Sequence, residues 1–464
     1  MSRKFLVLSA LALGLIVPAS AKVYTRDEAV KTAMENSADI KTAQESVTKA
    51  ASQVEGGYGR AYPSIDLNAS ITRNFGKDDI TKSTPVSDAA ADSTLGASLF
   101  DKLVLAPAAD QILSGVSAMQ GYRWQSNATL SITQVLYAQG AIGTGVEIAK
   151  AYKTGEEVKL EQAKDTVRYS VDNAFDELIV LDSSIAIFEE SIELTKAHYE
   201  MAKQSFESGM GKELDVIRAE LALDQLNSEY EQQKKKRVLA RNKLLNTMGL
   251  EWESDVQFTG ELRNPESNNP FPDTAMANVL KRRKELALLK INEEMASKNI
   301  ELEEADYKPL ITLIGKLGYN NSQNEITEWD APKWSKLNKS ITLNLSMNLF
   351  KGFQTREKVV QAKSSLRTLQ ITKENAERGF RLQIEACVNS LEDAQTQLDL
   401  QKRQIELSQK NYDLTEAAYK IGRETQVNLL DANVKLRESK IKYMQAVLSW
   451  NKAYNALLQA TGEY

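Results

Sequence analysis

TLSITQVLYAQG (129–140) and TLNLSMNLFKGF (342–353) are two versions of one pattern. Each begins as alternating apolar and polar residues, the mark of a half-buried strand, and reaches an aromatic, Tyr137 or Phe350, where a long helical stretch begins. Outward from this pair, residues 129–249 overlay residues 342–462 at one constant offset of 213, without a gap. Leu136-Tyr137 falls on Leu349-Phe350, Tyr199 on Tyr412, Gly209 on Gly422 and Gly249 on Gly462. Upstream, a constant offset of 246 pairs Asp27 with Asp273, Asp39 with Glu285 and Pro63 with Pro309. The difference of 33 residues is an insertion in the first copy, between Pro63 and Thr129. A period of about 200 residues is too long for a solenoid repeat. The chain therefore reads as a duplicated module: first copy 22–250, a polar linker 251–272 with Pro265, Pro270 and Pro272, and second copy 273–464.

The first residues predict an export signal. Arg3 and Lys4 precede an apolar run at 5–17 that is too short to span a bilayer, and Ala19-Ser20-Ala21 is a small-residue cleavage site. The expectation is a signal peptide over 1–21 and a mature chain from Lys22. No other stretch of about 20 apolar residues exists, so no transmembrane helix is expected. Cys387 is the only cysteine, which leaves no intramolecular disulfide and no lipid anchor at the cleavage site. The net charge of −5 becomes −7 without Arg3 and Lys4, which argues against nucleic acid as a partner. One histidine, His198, and one cysteine leave little material for a metal site or histidine-based catalysis. No nucleophile–base pair, metal-ligand cluster or phosphate loop is found, so neither catalysis nor a cofactor is expected.

Each copy reads as helix, strand, loop, strand, very long helix, tight turn, helix. The strands are expected at about 64–75, 128–137, 310–319 and 340–350. In the first, Ile65, Leu67, Ala69, Ile71, Arg73 and Phe75 alternate with Ser64, Asp66, Asn68, Ser70, Thr72 and Asn74. Strands of about ten residues suit a tilted membrane-spanning β-strand. The polar faces read as neutral and hydroxyl-rich, like the lining of a water-filled lumen. Aromatics near the ends (Phe75, Tyr137, Tyr319, Phe350, with Trp329 and Trp334 in the second loop) resemble interfacial girdles. An ordinary half-buried sheet on a soluble core gives the same alternation.

The helices separate these alternatives. Between Tyr137 and Gly209 about 70 residues without proline read as helix, roughly 100 Å at 1.5 Å per residue. A 4,3 spacing runs through Val167, Val171, Ala174, Leu178, Leu181, Ile185, Phe188 and Ile192, a heptad seam. Cys387 occupies the seam of the second copy and is expected as a buried core thiol. His198 falls one place off the seam and is expected on a solvated face. Ser208-Gly209-Met210-Gly211 and Ile421-Gly422-Arg423 break the long helices, glycine favouring a left-handed stop. The helices opening each copy, 26–58 and 273–306, are expected as single runs of about 33 residues. Two such half-length helices end to end match one long helix, so each copy can build a rod, with the linker at mid-height. The fold class is all-α dominated with a membrane β-barrel contribution. It has four barrel strands per chain, and other subunits must supply the rest, since the smallest membrane barrel has about eight strands.

On these features the chain resembles the TolC-type outer-membrane factor family, the exit ducts of efflux pumps and type I secretion systems. The resemblance covers essentially the whole mature chain. It rests on the duplication, the helix-Pro-strand junctions at Tyr62-Pro63 and Lys308-Pro309, and the turns with Tyr199, Phe206, Gly209 and Asp215-Val216 and with Tyr412, Tyr419, Gly422 and Leu429-Leu430-Asp431-Ala432. It implies a homotrimer in the outer membrane, with a twelve-stranded barrel, a coiled-coil tunnel in the periplasm and a constriction at the periplasmic tip. It further implies a tyrosine–aspartate latch, Tyr419 to Asp215, and an acidic ring at Asp431. Asn428 stands where a second ring often has aspartate, and Glu424 where a linking arginine can occur. The turns at Gly209, Gly211, Gly422 and Arg423 would meet a periplasmic adaptor joined to an inner-membrane pump. The insertion, with Leu99-Phe100, Leu103-Val104-Leu105 and Trp124, is a lid, a receptor surface or a packed ornament. A soluble periplasmic coiled-coil adaptor or scaffold is the rival reading. It accounts for the heptads but not for four strands feeding the helices.

Overall fold

The computed structural model describes residues 22–74, 124–252, 256–263, 272, 274–323 and 336–464. The signal segment, Phe75, most of the insertion, Pro265, Pro270, Trp329 and Trp334 lie outside the described residues. In chain order the elements are β1 (Lys22–Tyr24), α1 (Arg26–Asn36), α2 (Ala38–Gly59), β2 (Ser64–Arg73), β3 (Trp124–Tyr137), α3 (Ala141–Glu207), α4 (Glu213–Thr247) and β4 (Val256–Phe258). Then follow α5 (Met276–Arg282), α6 (Lys284–Glu304), a 3₁₀ turn (Ala305–Tyr307), β5 (Leu310–Gln323), β6 (Asn338–Ser346), α7 (Gln354–Lys420) and α8 (Gln426–Thr461). They divide into two compact units. One comprises Met1–Ala50, Ala151–Glu294 and Arg367–Tyr464, the other Ala51–Lys150 and Met295–Leu366.

The second unit is built on an antiparallel sheet in the order β2-β3-β5-β6. Its register places Ile65, Ile132, Gly315 and Ile341 in one cross-strand row and Leu67, Leu130, Leu317 and Lys339 in the next. Period-two alternation thus becomes a largely apolar face, with Arg73 and Lys339 as its charged members near the strand ends, on which Ile65, Leu67, Ile341, Leu343 and Leu345 are all exposed. The strand limits differ from the periodicity. Trp124, read as part of the insertion, opens β3, and β5 continues to Gln323, whereas β6 ends at Ser346 and leaves Leu349 and Phe350 exposed outside it. The polar face is not wholly neutral, because Asp66 and Lys316 both lie on it. Below the sheet, Asp306 gathers the junction of the second copy, accepting hydrogen bonds from Thr355 Oγ1 at 2.9 Å and Lys351 Nζ at 3.2 Å.

In the first unit the expected 33-residue helices are each two helices. Ser37 (φ −54°, ψ 133°) separates α1 from α2, and Arg283 (φ −65°, ψ 114°) separates α5 from α6. The two breaks are 246 residues apart, at equivalent positions, and neither residue is a proline or glycine. Each break is matched by a tertiary contact. Gly249, ending α4, packs so closely on the first break that a Cβ there would lie 2.5 Å from the Asn36 carbonyl oxygen. Gly462, ending α8, packs likewise on Arg282 at the second break. Both glycines are left-handed and close Schellman caps: Leu250 N–H donates to Leu245 O at 2.9 Å, and Glu463 N–H to Leu458 O at 3.0 Å.

Every left-handed residue among the described residues has a partner 213 positions away: Gly209 with Gly422, Gly249 with Gly462, Gln139 with Gly352 and Gly140 with Phe353. At the strand-to-helix junctions the backbone repeats although glycine has changed places, and each copy accepts one non-glycine residue there at a cost of about 1–2 kcal/mol.

The core of this unit forms around the middle of α3. Val167, Val171, Ala174 and Leu178 of the heptad seam are buried, with Phe175 and Ile40. The linker adds β4, which pairs in parallel with β1 and sets Phe258 edge-on to Phe175, ring centroids 6.3 Å apart. Nothing in the hydropathy of three-residue strands announces such a pair. Cys387 is half-buried rather than fully buried, its thiol 3.9 Å from the Ala456 carbonyl.

Candidate functional site

The two helical turns of the first unit carry the residues singled out from sequence. In the first, Gly209 takes φ 74° and its N–H donates to Phe206 O at 2.9 Å, while Met210 N–H reaches back to Ser205 O at 3.0 Å. Gly211 follows where a Cβ would stand 2.9 Å from Phe206 N and Ser205 Oγ, so only glycine fits. In the second, Gly422 takes φ 73° with the same two bonds, to Tyr419 O and, from Arg423, to Ala418 O, each 2.9 Å. Thr425 then caps α8, its Oγ1 accepting from Asn428 N–H at 3.3 Å.

Tyr419 and Asp215 are brought near each other but not joined. The Tyr419 phenol is half-buried against the cluster of Tyr412, Leu429, Ala432 and Leu436. Burial, and secondarily the charge of Asp215, push it above the ordinary tyrosine range. No hydrogen bond links the two among the described residues; Asp215 faces Arg218 one turn on, at 3.9 Å. Asp431 is paired within its own helix with Lys435. Asn428 donates to Glu424 Oε2 at 2.7 Å, so these two close a local link within the second turn.

The stronger cross-copy links lie away from the residues chosen from sequence. His198, expected on a solvated face, is buried. Its Nε2 lies 3.2 Å from Tyr412 Oη, joining α3 to α7, and its Nδ1 has no hydrogen-bond partner among the described residues. Burial holds the imidazole below its ordinary pKa and raises the Tyr412 phenol to about 12. Asn433 Nδ2 donates to Thr195 Oγ1 at 3.0 Å, and Lys440 Nζ to Glu190 at 2.8 Å. These contacts were masked in the sequence because a second 4,3 row on α3, Ser184, Phe188, Ser191, Thr195, His198 and Ala202, is buried yet mostly polar. Hydropathy reads such a row as solvated, and only its spacing gives it away.

A four-stranded sheet with one apolar and one polar face, joined in sequence to 67-residue helices that end in glycine turns, defines a membrane channel-tunnel protein. The family model for outer membrane efflux proteins matches residues 29–250 and 275–463, and the chain belongs to that family. It is an outer-membrane efflux channel, with helical segments extending into the periplasm. The fold is also that of solved channels. Against the outer membrane protein VceC of Vibrio cholerae the TM-score is 0.68 at 14% identity, covering 94% of this chain and 96% of that one. Against the CmeC outer membrane channel of Campylobacter jejuni it is 0.73 at 15% identity, covering 94% and 85%. Against the MtrE channel of Neisseria gonorrhoeae, solved in an open state, it is 0.68 at 14% identity, covering 94% and 88%. No curated protein matches the chain in sequence comparison.

Proposed function

We propose that three copies of this chain close a twelve-stranded barrel and a periplasmic tunnel, the exit duct of a tripartite efflux assembly. The observation that carries the proposal is a bare heptad row on α7. Leu400, Leu407 and Leu414 recur every seven residues, with Ile421 at the same spacing just past the helix end, and the four are 47%, 55%, 63% and 66% exposed. They lie about 200° around the helix from the buried Leu398 and Tyr412. A leucine row of this regularity is a coiled-coil seam without its partner. The sheet has the same deficit, with β2 and β6 as unpaired edges and too few strands to close alone. A symmetric oligomer meets both needs.

On this reading the turns at Gly209, Gly211, Gly422 and Arg423 receive a periplasmic adaptor joined to an inner-membrane pump. Tyr419, Asp215, Asp431, Asn428 and Glu424 surround the periplasmic constriction. The Tyr419–Asp215 proximity supports the latch in an unlatched geometry. The repeats 22–250 and 273–464 around the linker 251–272 are the natural functional halves. Mass measurement in detergent tests the assembly: wild type should be trimeric, and Leu407→Glu with Leu414→Glu monomeric at unchanged helix content. A trimer that survives both charges removes the heptad row from the interface. Planar-bilayer recording tests the latch. Tyr419→Phe and Asp215→Ala should raise a small wild-type conductance, and equal conductance in all three rejects it.

A further inference from the structure

The strand register isolates one row of the barrel sheet. Asp66 pairs with Ser131, Ser131 with Lys316 and Lys316 with Ser340, so the four residues cross the sheet in line. They lie on the face opposite Ile65, Ile132 and Ile341. Among the described residues of that polar face, from Ser64 and Asn68 to Thr342 and Asn344, Asp66 and Lys316 are the only ionisable side chains. Both are exposed, and no ion pair joins them among the described residues. Two charges of opposite sign thus share one row of a face otherwise mainly hydroxyl and amide, with Ile314 in the neighbouring row.

We propose that Asp66 and Lys316 form a charge-alternating belt inside the barrel that lets charged solutes of either sign pass. The inference rests on the trimeric barrel proposed above. In a lipid bilayer the apolar face must turn outward, so this row faces the lumen. Asp66 is on β2 and Lys316 on β5, two strands apart; if β6 of one protomer adjoins β2 of the next, the following Asp66 is again two strands away. Three carboxylates and three ammonium groups then alternate evenly around the wall, about 10 Å apart at the usual strand spacing. Strand tilt sets the two kinds of charge at slightly different heights. The belt sums to zero charge. It offers a counter-charge to anionic and cationic solutes alike and repels neither, whereas loss of one partner leaves a ring of a single sign, the device by which pores select.

Thiol labelling at Ser131, which sits between the two charges, reads the local field independently of the tip. In the trimer carrying Ser131→Cys and Cys387→Ala, the rates of a cationic and an anionic water-soluble thiosulfonate are compared. The ratio of cationic to anionic rate should fall about fivefold with Asp66→Asn and rise about fivefold with Lys316→Gln. This corresponds to roughly a factor of two on each reagent from one charge about 5 Å away in salt water. With both substitutions the ratio should return to the starting value. Ready labelling with a ratio that neither substitution moves overturns the belt and leaves the barrel intact. Labelling at Ile132→Cys but not at Ser131→Cys overturns the barrel orientation on which the belt rests.

Discussion

The long helices α3 and α7 have the same length, the same place in their repeats and opposite surroundings. Both run for 67 residues. In its middle third α3 is buried on most of its circumference, with Asp172, Ala174, Phe175, Asp176 and Leu178 all shielded. At the equivalent places α7 has exposed Glu385 and Asn389, a half-buried Cys387 and Val388, and only Leu391 buried. The inter-repeat segment contributes to the difference. It lays β4 and Arg263 on α3, where Arg263 and, from α1, Arg26 meet the Asp172 and Asp176 carboxylates; Asn455 of α8 donates to Asn173 and Asp176 beside them. Two helices alike by duplication thus differ in what covers them, and the linker with α1 and α8 makes the first an internal strut. The second kept a surface for something outside the protomer.

Substitutions at equivalent positions should break or sharpen this contrast. The largest effect is expected at Phe175→Ala, which empties a fully buried site between Phe258 and Arg26 and should cost about 3–5 kcal/mol in denaturant unfolding. Val388→Ala, its counterpart on α7, should cost about 1 kcal/mol, and equal losses would erase the contrast. Next comes Arg263→Met, which removes one of the arginines facing Asp172 and should cost roughly 3 kcal/mol by the same assay. Glu385→Gln, at the exposed counterpart of Asp172, should change little.

A smaller effect, with a definite sign, attaches to His198, whose α7 counterpart is the exposed Asn411. Burial keeps its folded pKa below the ordinary 6.5. Above that pH the ring is neutral in both folded and unfolded chains and contributes no pH dependence. As pH falls through 6.5 the unfolded chain takes the proton first, so stability drops until the folded pKa is passed, by at most about 1.4 kcal/mol per pH unit. The unfolding midpoint of wild type should fall more between pH 7.5 and 5 than that of His198→Asn; parallel curves would mean that the ring is solvated. Smallest is Leu414→Ala on the bare face of α7, expected within about 0.5 kcal/mol for an isolated protomer. Its effect should appear in trimer dissociation instead.

Much of the architecture was present in local patterns. The long helices and the seam from Val167 to Leu178 are short-period patterns of neighbouring residues, the turns at Gly209 and Gly422 are local chain-breakers, and the offset of 213 is read by laying the sequence on itself. The gate candidates show the limit. Their place in a motif marks Asp215 and Tyr419, and only the packing shows them close without a bond. His198 reads as solvated because a buried polar row has the composition of an exposed one. The sequence by itself determined a duplicated chain of membrane-length strands and coiled-coil helices. The tertiary structure alone decided where the opening helices break, which long helix became internal, and that Asp66 and Lys316 share a row. The breaks at Ser37 and Arg283 sit against glycines more than 170 residues away in sequence, and the shared row follows from strand register. Both are long-range geometry, which no window along the chain contains.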